Sequence, residues 1–196
     1  MKKENAALTR IVFGAVMAAL VFVMTMVRVP LGESKFHLAN SMCLLSGLLL
    51  GPTLGGTAAG LGSALYDVTV GGYAFFEALI TFASKFAMAF VTGILYRKWI
   101  VPRKDKTWKE NLPLLVLSCI IGSLTYVALY ILKTWVFKMY VTPVPIETIS
   151  TIIVEKLLVS LLNAAFAIVT APIFYHAVVP ALKAGGILKQ VEAAAK

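Results

Sequence analysis

Glu77, Thr81 and Lys85 recur every fourth residue in a segment otherwise dominated by Phe, Ala, Leu and Ile. On a helix that spacing puts an acid, a hydroxyl and an amine on one face. Lys156, Ser160 and Asn163 form a second polar stripe in the last apolar segment, and Asn40 adds an amide able to donate and accept. Charged groups inside such segments are costly and face a cavity or a partner. Asp67, Lys133 and Glu155 belong to the same set. Tyr66, Tyr73, Phe75, Phe76, Tyr126, Tyr130 and Trp135 supply aromatic surface at the same level. Polar groups converging from several helices between aromatic walls describe a pocket for a small molecule.

Each of these residues also has a plainer reading. Asp67 and Lys85 suit a structural ion pair equally well. Glu77, Lys133 and Lys156 could snorkel to an interface, and Tyr73 and Trp135 could anchor there. His37 reads first as a loop or cap residue and second as a ligand contact, while His176 reads as inert. Cys43 and Cys119 lie in apolar runs without metal-ligand spacing, so they read as small core hydrophobes. Neither a metal nor a cofactor is expected.

The elements that must carry these residues are set by composition. The chain has 196 residues, 60% hydrophobic and 14% charged, with a mean hydropathy of +0.88. Soluble domains carry about 25% charged residues. Uncharged runs cover 11–27, 38–66, 86–96, 112–132 and 157–175, several of them near the roughly 20 residues of a membrane helix. Lys2, Lys3 and Arg10 before the first run resemble a signal peptide, but the run is long and lacks a small-x-small cleavage site, so it reads as a retained helix. The net charge of +9 is better explained by membrane topology than by nucleic acid.

Twelve of the 18 basic residues fall in three clusters: Lys2, Lys3 and Arg10; six residues within 97–109; and Lys183, Lys189 and Lys196. Positive charge gathers on the cytoplasmic side. If 38–66 were one helix, the 97–109 cluster would face outward. Split at Gly51-Pro52 and Gly55-Gly56 it gives two short helices, and all three clusters face inward. The expectation is an all-α integral membrane protein: one domain over 1–196, six transmembrane helices near 9–28, 38–50, 54–68, 75–97, 111–137 and 149–176, and both termini cytoplasmic. The polar stripes then fall in the outer half. Gly14, Ala15, Ala18 and Ala19 make two small-xxx-small pairs on the first helix, and Gly56, Gly60 and Ser63 make another stripe on the third; both patterns permit close packing. Gly60-Leu61-Gly62-Ser63 lacks the third glycine and preceding strand of a nucleotide-binding loop.

The chain resembles the substrate-binding S components of energy-coupling-factor (ECF) vitamin transporters, in the branch with riboflavin, pyridoxine-type and hydroxymethylpyrimidine-type members. The matching pieces are Ala15-x-x-x-Ala19, Phe36-His37-Leu38-Ala39-Asn40, Leu48-Leu49-Leu50-Gly51-Pro52, Gly55-Gly56, Gly60-Leu61-Gly62-Ser63 with Tyr66-Asp67, and Lys85 to Gly93. The resemblance implies a bundle of the S-component type in the bacterial plasma membrane, capturing a vitamin at the outer face. It also implies docking to a transmembrane coupling subunit and two ATPases. Gly14, Ala15, Ala18 and Ala19 would contact the coupling subunit, and Pro30 to Phe36 and Val70 to Ala74 would cover the site.

The expected ligand contacts are His37, Asn40, Tyr66, Asp67, Tyr73, Glu77, Thr81, Lys85, Glu155 and Asn163. A B6-type or pyrimidine compound suits them, with riboflavin close behind. No ATP-binding motif occurs. An intramembrane enzyme is disfavoured by the absence of His-Glu-x-x-His, Gly-x-Ser-x-Gly or paired catalytic aspartates. A self-contained carrier or channel is the alternative, and no inverted repeat relates 1–98 to 99–196.

Overall fold

The long uncharged run breaks at a single residue. Gly51 has φ of 80°, a backbone conformation that side chains disfavour, and Pro52 takes the first helical position, where no N–H is needed. The computed structural model describes residues 2–31, 34–103, 105–188 and 191. In chain order it holds α1 (Lys2–Met26), β1 (Arg28–Leu31), β2 (Ser34–His37), α2 (Ala39–Leu50), α3 (Pro52–Tyr66), α4 (Phe75–Trp99), α5 (Trp108–Val136) and α6 (Ile146–Ala184). α1, α4, α5 and α6 are long and apolar enough to cross a membrane, whereas α2 and α3 have 12 and 15 residues.

The boundaries depart from expectation where local chemistry intervenes. Thr107 and Glu110 form a reciprocal capping box that starts α5 at Trp108 rather than 111. α6 runs through Pro172 and Pro180 to Ala184 instead of stopping at 176. α3 and α5 both end in a π-helical turn, Asp67–Gly71 and Phe137–Val141, so these chain ends widen before they turn back. Between α1 and α2, where Pro30 to Phe36 was expected as a cover, the chain forms an antiparallel hairpin, with Arg28 opposite His37 and Leu31 opposite Ser34.

α2 is buried along its whole length. α3 packs tightly on both sides because its glycines leave room. A side chain at Gly60 would strike Phe82 of α4 at 2.7 Å, and one at Gly62 would strike the Ala18 carbonyl of α1. The first-helix stripe therefore divides. Gly14, which meets Leu54, and Ala18 pack inside the bundle, while Ala15 and Ala19 are exposed. Ile11, Val12, Val16 and Val23 share that outward surface, and Val154, Leu158, Leu162 and Val169 do the same on α6. Apolar outer faces of this extent suit hydrocarbon.

Candidate functional site

Lys85 is the deepest charge, 3% exposed in the middle of α4. Its amine donates to Asn40 Oδ1 of α2 and lies 3.6 Å from the centre of the Tyr126 ring of α5. The ion pair weighed between Asp67 and Lys85 is not formed; Asp67 opens the π turn and faces the Thr81 hydroxyl instead. Glu77 and Lys133 are not two separate snorkelling chains. They pair across α4 and α5 at 3.4 Å, and Phe76 stacks on Phe137 beside them.

The hairpin closes the same end of the bundle, and Asn163 of α6 ties it down. The Asn163 amide accepts from the His37 N–H at 3.0 Å and donates to the Lys35 carbonyl at 2.9 Å and to Val159 O at 3.0 Å. This side chain reads β2 as a neighbouring strand would, and Phe36 packs edge-on against Phe166 beside it. Across the mouth, Lys35 Nζ donates to Tyr73 OH at 3.2 Å, so the hairpin touches the loop that leads into α4. Asn163→Leu should leave helix content unchanged and raise the ligand dissociation rate about tenfold, since a freed cover acts mainly on dissociation. Stopped-flow release measurements check this; an unchanged rate would remove the hairpin from the retention of ligand.

Together these groups surround a cavity of about 640 Å³, within the size range of small-molecule sites. His37, Asn40, Tyr66, Asp67, Tyr73, Glu77, Thr81, Lys85 and Asn163 all line it, but Glu155 does not. Three lining atoms, Ser34 Oγ, His37 Nδ1 and Tyr66 OH, are buried without a well-aligned hydrogen-bond partner among the described residues. Buried polar atoms normally have one, so these are open to a ligand or water.

Burial first, and the charge of Lys85 next, push the His37 imidazole down from 6.5 to about 3, with Lys35 and Arg28 adding to the effect. The folded protein thus keeps His37 neutral where the unfolded chain takes up a proton. Stability therefore falls as pH drops from about 6.5 toward about 3, by at most about 1.4 kcal/mol per pH unit. His37→Gln should flatten that part of a plot of thermal midpoint against pH. An identical slope in the variant would place the acid sensitivity elsewhere.

Sequence reasoning missed Arg28, Lys35 and Lys138 as lining residues. Arg28 reads as the end of the first helix and Lys35 as part of the segment before the second, and the strand pairing that turns them toward the cavity has no signature in four-residue segments. Lys138 is carried inward by the π turn. A second cavity of about 810 Å³ lies at the opposite end, where Arg97, Arg103, Lys106 and Lys183 meet Trp108, Tyr175 and His176. It collects the clustered basic residues rather than the polar stripes.

An all-α bundle with an apolar outer surface and a polar cavity lined from six helices and a hairpin belongs to the class of membrane proteins that bind small molecules. The family described as ECF-type riboflavin transporter, S component, matches residues 5–180, and the chain belongs to that family. It is therefore a substrate-binding subunit of a vitamin transporter, a multi-pass protein of the cell membrane, and not an enzyme. No curated protein matches the chain significantly.

Proposed function

We propose that this protein captures a water-soluble vitamin or vitamin precursor in the cavity beneath the hairpin and delivers it inward through a coupling subunit driven by two ATPases. The observation that carries this reading is the meeting of Asn40 from α2, Asp67 from the π turn after α3, and Glu77, Thr81 and Lys85 from α4 around one cavity. All six helices cross the membrane in this reading, with both termini cytoplasmic and the hairpin outside. The gathering of residues from the 97–109 and C-terminal clusters at the end opposite the hairpin supports that orientation. Short α2 and α3, joined at Gly51, are tolerated because both lie against protein.

Lys35 with Tyr73 links the two covers over the site, and Ala15 and Ala19 form the surface that meets the coupling subunit. The aromatic walls favour a ring compound: a B6-type vitamin or pyrimidine precursor, with riboflavin, named in the family's description, close behind. Purified alone, the chain should hold such a ligand at sub-micromolar affinity, roughly −8 kcal/mol or better. In liposomes it should transport nothing by itself, and it should support ATP-dependent uptake once the coupling subunit and ATPases are added. Uptake by the chain alone would instead make it a self-contained carrier.

A further inference from the structure

We infer that the ligand of this cavity is an anion, a flat ring bearing at least one carboxylate or phosphate group. This rests on reading the cavity as the substrate site and narrows the chemistry of what enters it. Outside the three basic clusters the chain has six Lys and Arg residues: Arg28, Lys35, Lys85, Lys133, Lys138 and Lys156. Every one of them lines this cavity. They arrive from the hairpin, α4, α5, the π turn after α5, and α6, so no single helix face accounts for their meeting.

Against these six the described lining offers two acids, Asp67 and Glu77, and Glu77 is already engaged by Lys133. The direct contacts of Lys85 are a neutral amide and an aromatic face. Arg28 lies 5.4 Å from the Tyr66 ring centre and Lys35 5.2 Å from that of Tyr73. Aromatic faces hold a cation in place without cancelling its charge.

Two bland accounts fall short. Snorkelling explains a lysine at an interface, but not an amine 3% exposed in mid-helix. Topology is no better, because basic residues favour the cytoplasmic side and these gather at the other end. A concave, low-dielectric site with an excess of one sign focuses its field and draws in the opposite charge. A neutral ring would leave the cations repelling one another, whereas a carboxylate or phosphate satisfies several of them with charge-assisted hydrogen bonds.

The test is calorimetric titration of the purified full chain with matched neutral and anionic rings. The sets are pyridoxine, pyridoxine 5′-phosphate and 4-pyridoxic acid; riboflavin and riboflavin 5′-phosphate; and hydroxymethylpyrimidine and its phosphate. In at least one set the anion should bind about tenfold tighter or more, since each charge-assisted bond contributes about 1.5–3 kcal/mol. That advantage should shrink between roughly 0.1 M and 1 M salt as screening shortens, and in an Arg28→Gln, Lys138→Gln double variant. A neutral member bound at sub-micromolar affinity with no tighter anion overturns the inference and leaves the transport reading intact. Binding of no member in any set overturns both.

Discussion

Replacing Lys85 with Met is expected to weaken ligand binding about a hundredfold while leaving the bundle at least as heat-stable as the parent. The two halves of this expectation have one cause. The Lys85 amine is buried with only Asn40 and the Tyr126 ring in contact, and a desolvated charge without a contacting carboxylate contributes little to stability. Met keeps the aliphatic length and removes the charge, at the expense of leaving the Asn40 oxygen unpaired, about 1–3 kcal/mol. Removing an unneutralised charge offsets that loss.

The ligand has no such compensation. A charge-assisted bond in a site shielded from water contributes about 1.5–3 kcal/mol, and every 1.4 kcal/mol is tenfold in affinity. Titration calorimetry and a thermal melt on the same preparation check both halves. A variant that binds as the parent does would make Lys85 a packing residue. One that fails to fold would show that its charge is balanced within the protein.

The double variant Ala15→Trp, Ala19→Trp is expected to reduce vitamin uptake to background with ligand affinity within about twofold of the parent. Both alanines are exposed on α1, away from the face that packs on α3. Two indoles there would hold a partner helix several ångströms away, since small residues are what allow helices to meet closely. The adjacent pair serves as the internal control. At Gly14 an added Cβ would already meet Leu54 at 3.0 Å, and the Ala18 carbonyl fills the space beside Gly62. Gly14→Trp and Ala18→Trp should therefore lower the thermal midpoint and the yield of folded protein. Uptake measured in reconstituted vesicles, paired with binding in detergent, separates the two. If the Ala15, Ala19 variant transports normally, the coupling surface lies elsewhere; if it loses binding as well, that face packs within the protein.

How much of the site was legible in the sequence depended on the range of the interactions involved. Glu77, Thr81 and Lys85 could be set on one face because a helix fixes the relation between residues four apart. That periodicity does not say what the face meets. The Lys85 partner proved to be Asn40, 45 positions away, rather than Asp67. Asn163 lines the cavity as expected of a ligand contact, and its amide also holds the hairpin strand that bears His37, a role the sequence did not show. Glu155 lies on the same helix as three lining residues yet is outside the cavity, because its place in the α6 turn differs from that of Lys156, Ser160 and Asn163.

By itself the sequence determined the membrane character, the break at Gly51-Pro52, the polar stripes and the small-residue stripes. Each of these follows from composition, charge or a helical repeat, which are local properties of the chain. Only the tertiary structure decided which small residues are buried. It also decided that Arg28–Leu31 pairs with Ser34–His37 and that the six scattered basic residues share one cavity. Those outcomes depend on contacts between segments far apart in the chain, and on strands and π turns too short to carry a repeat of their own. The physical reason is plain: periodicity gives each side chain a direction, and only packing gives that direction a neighbour.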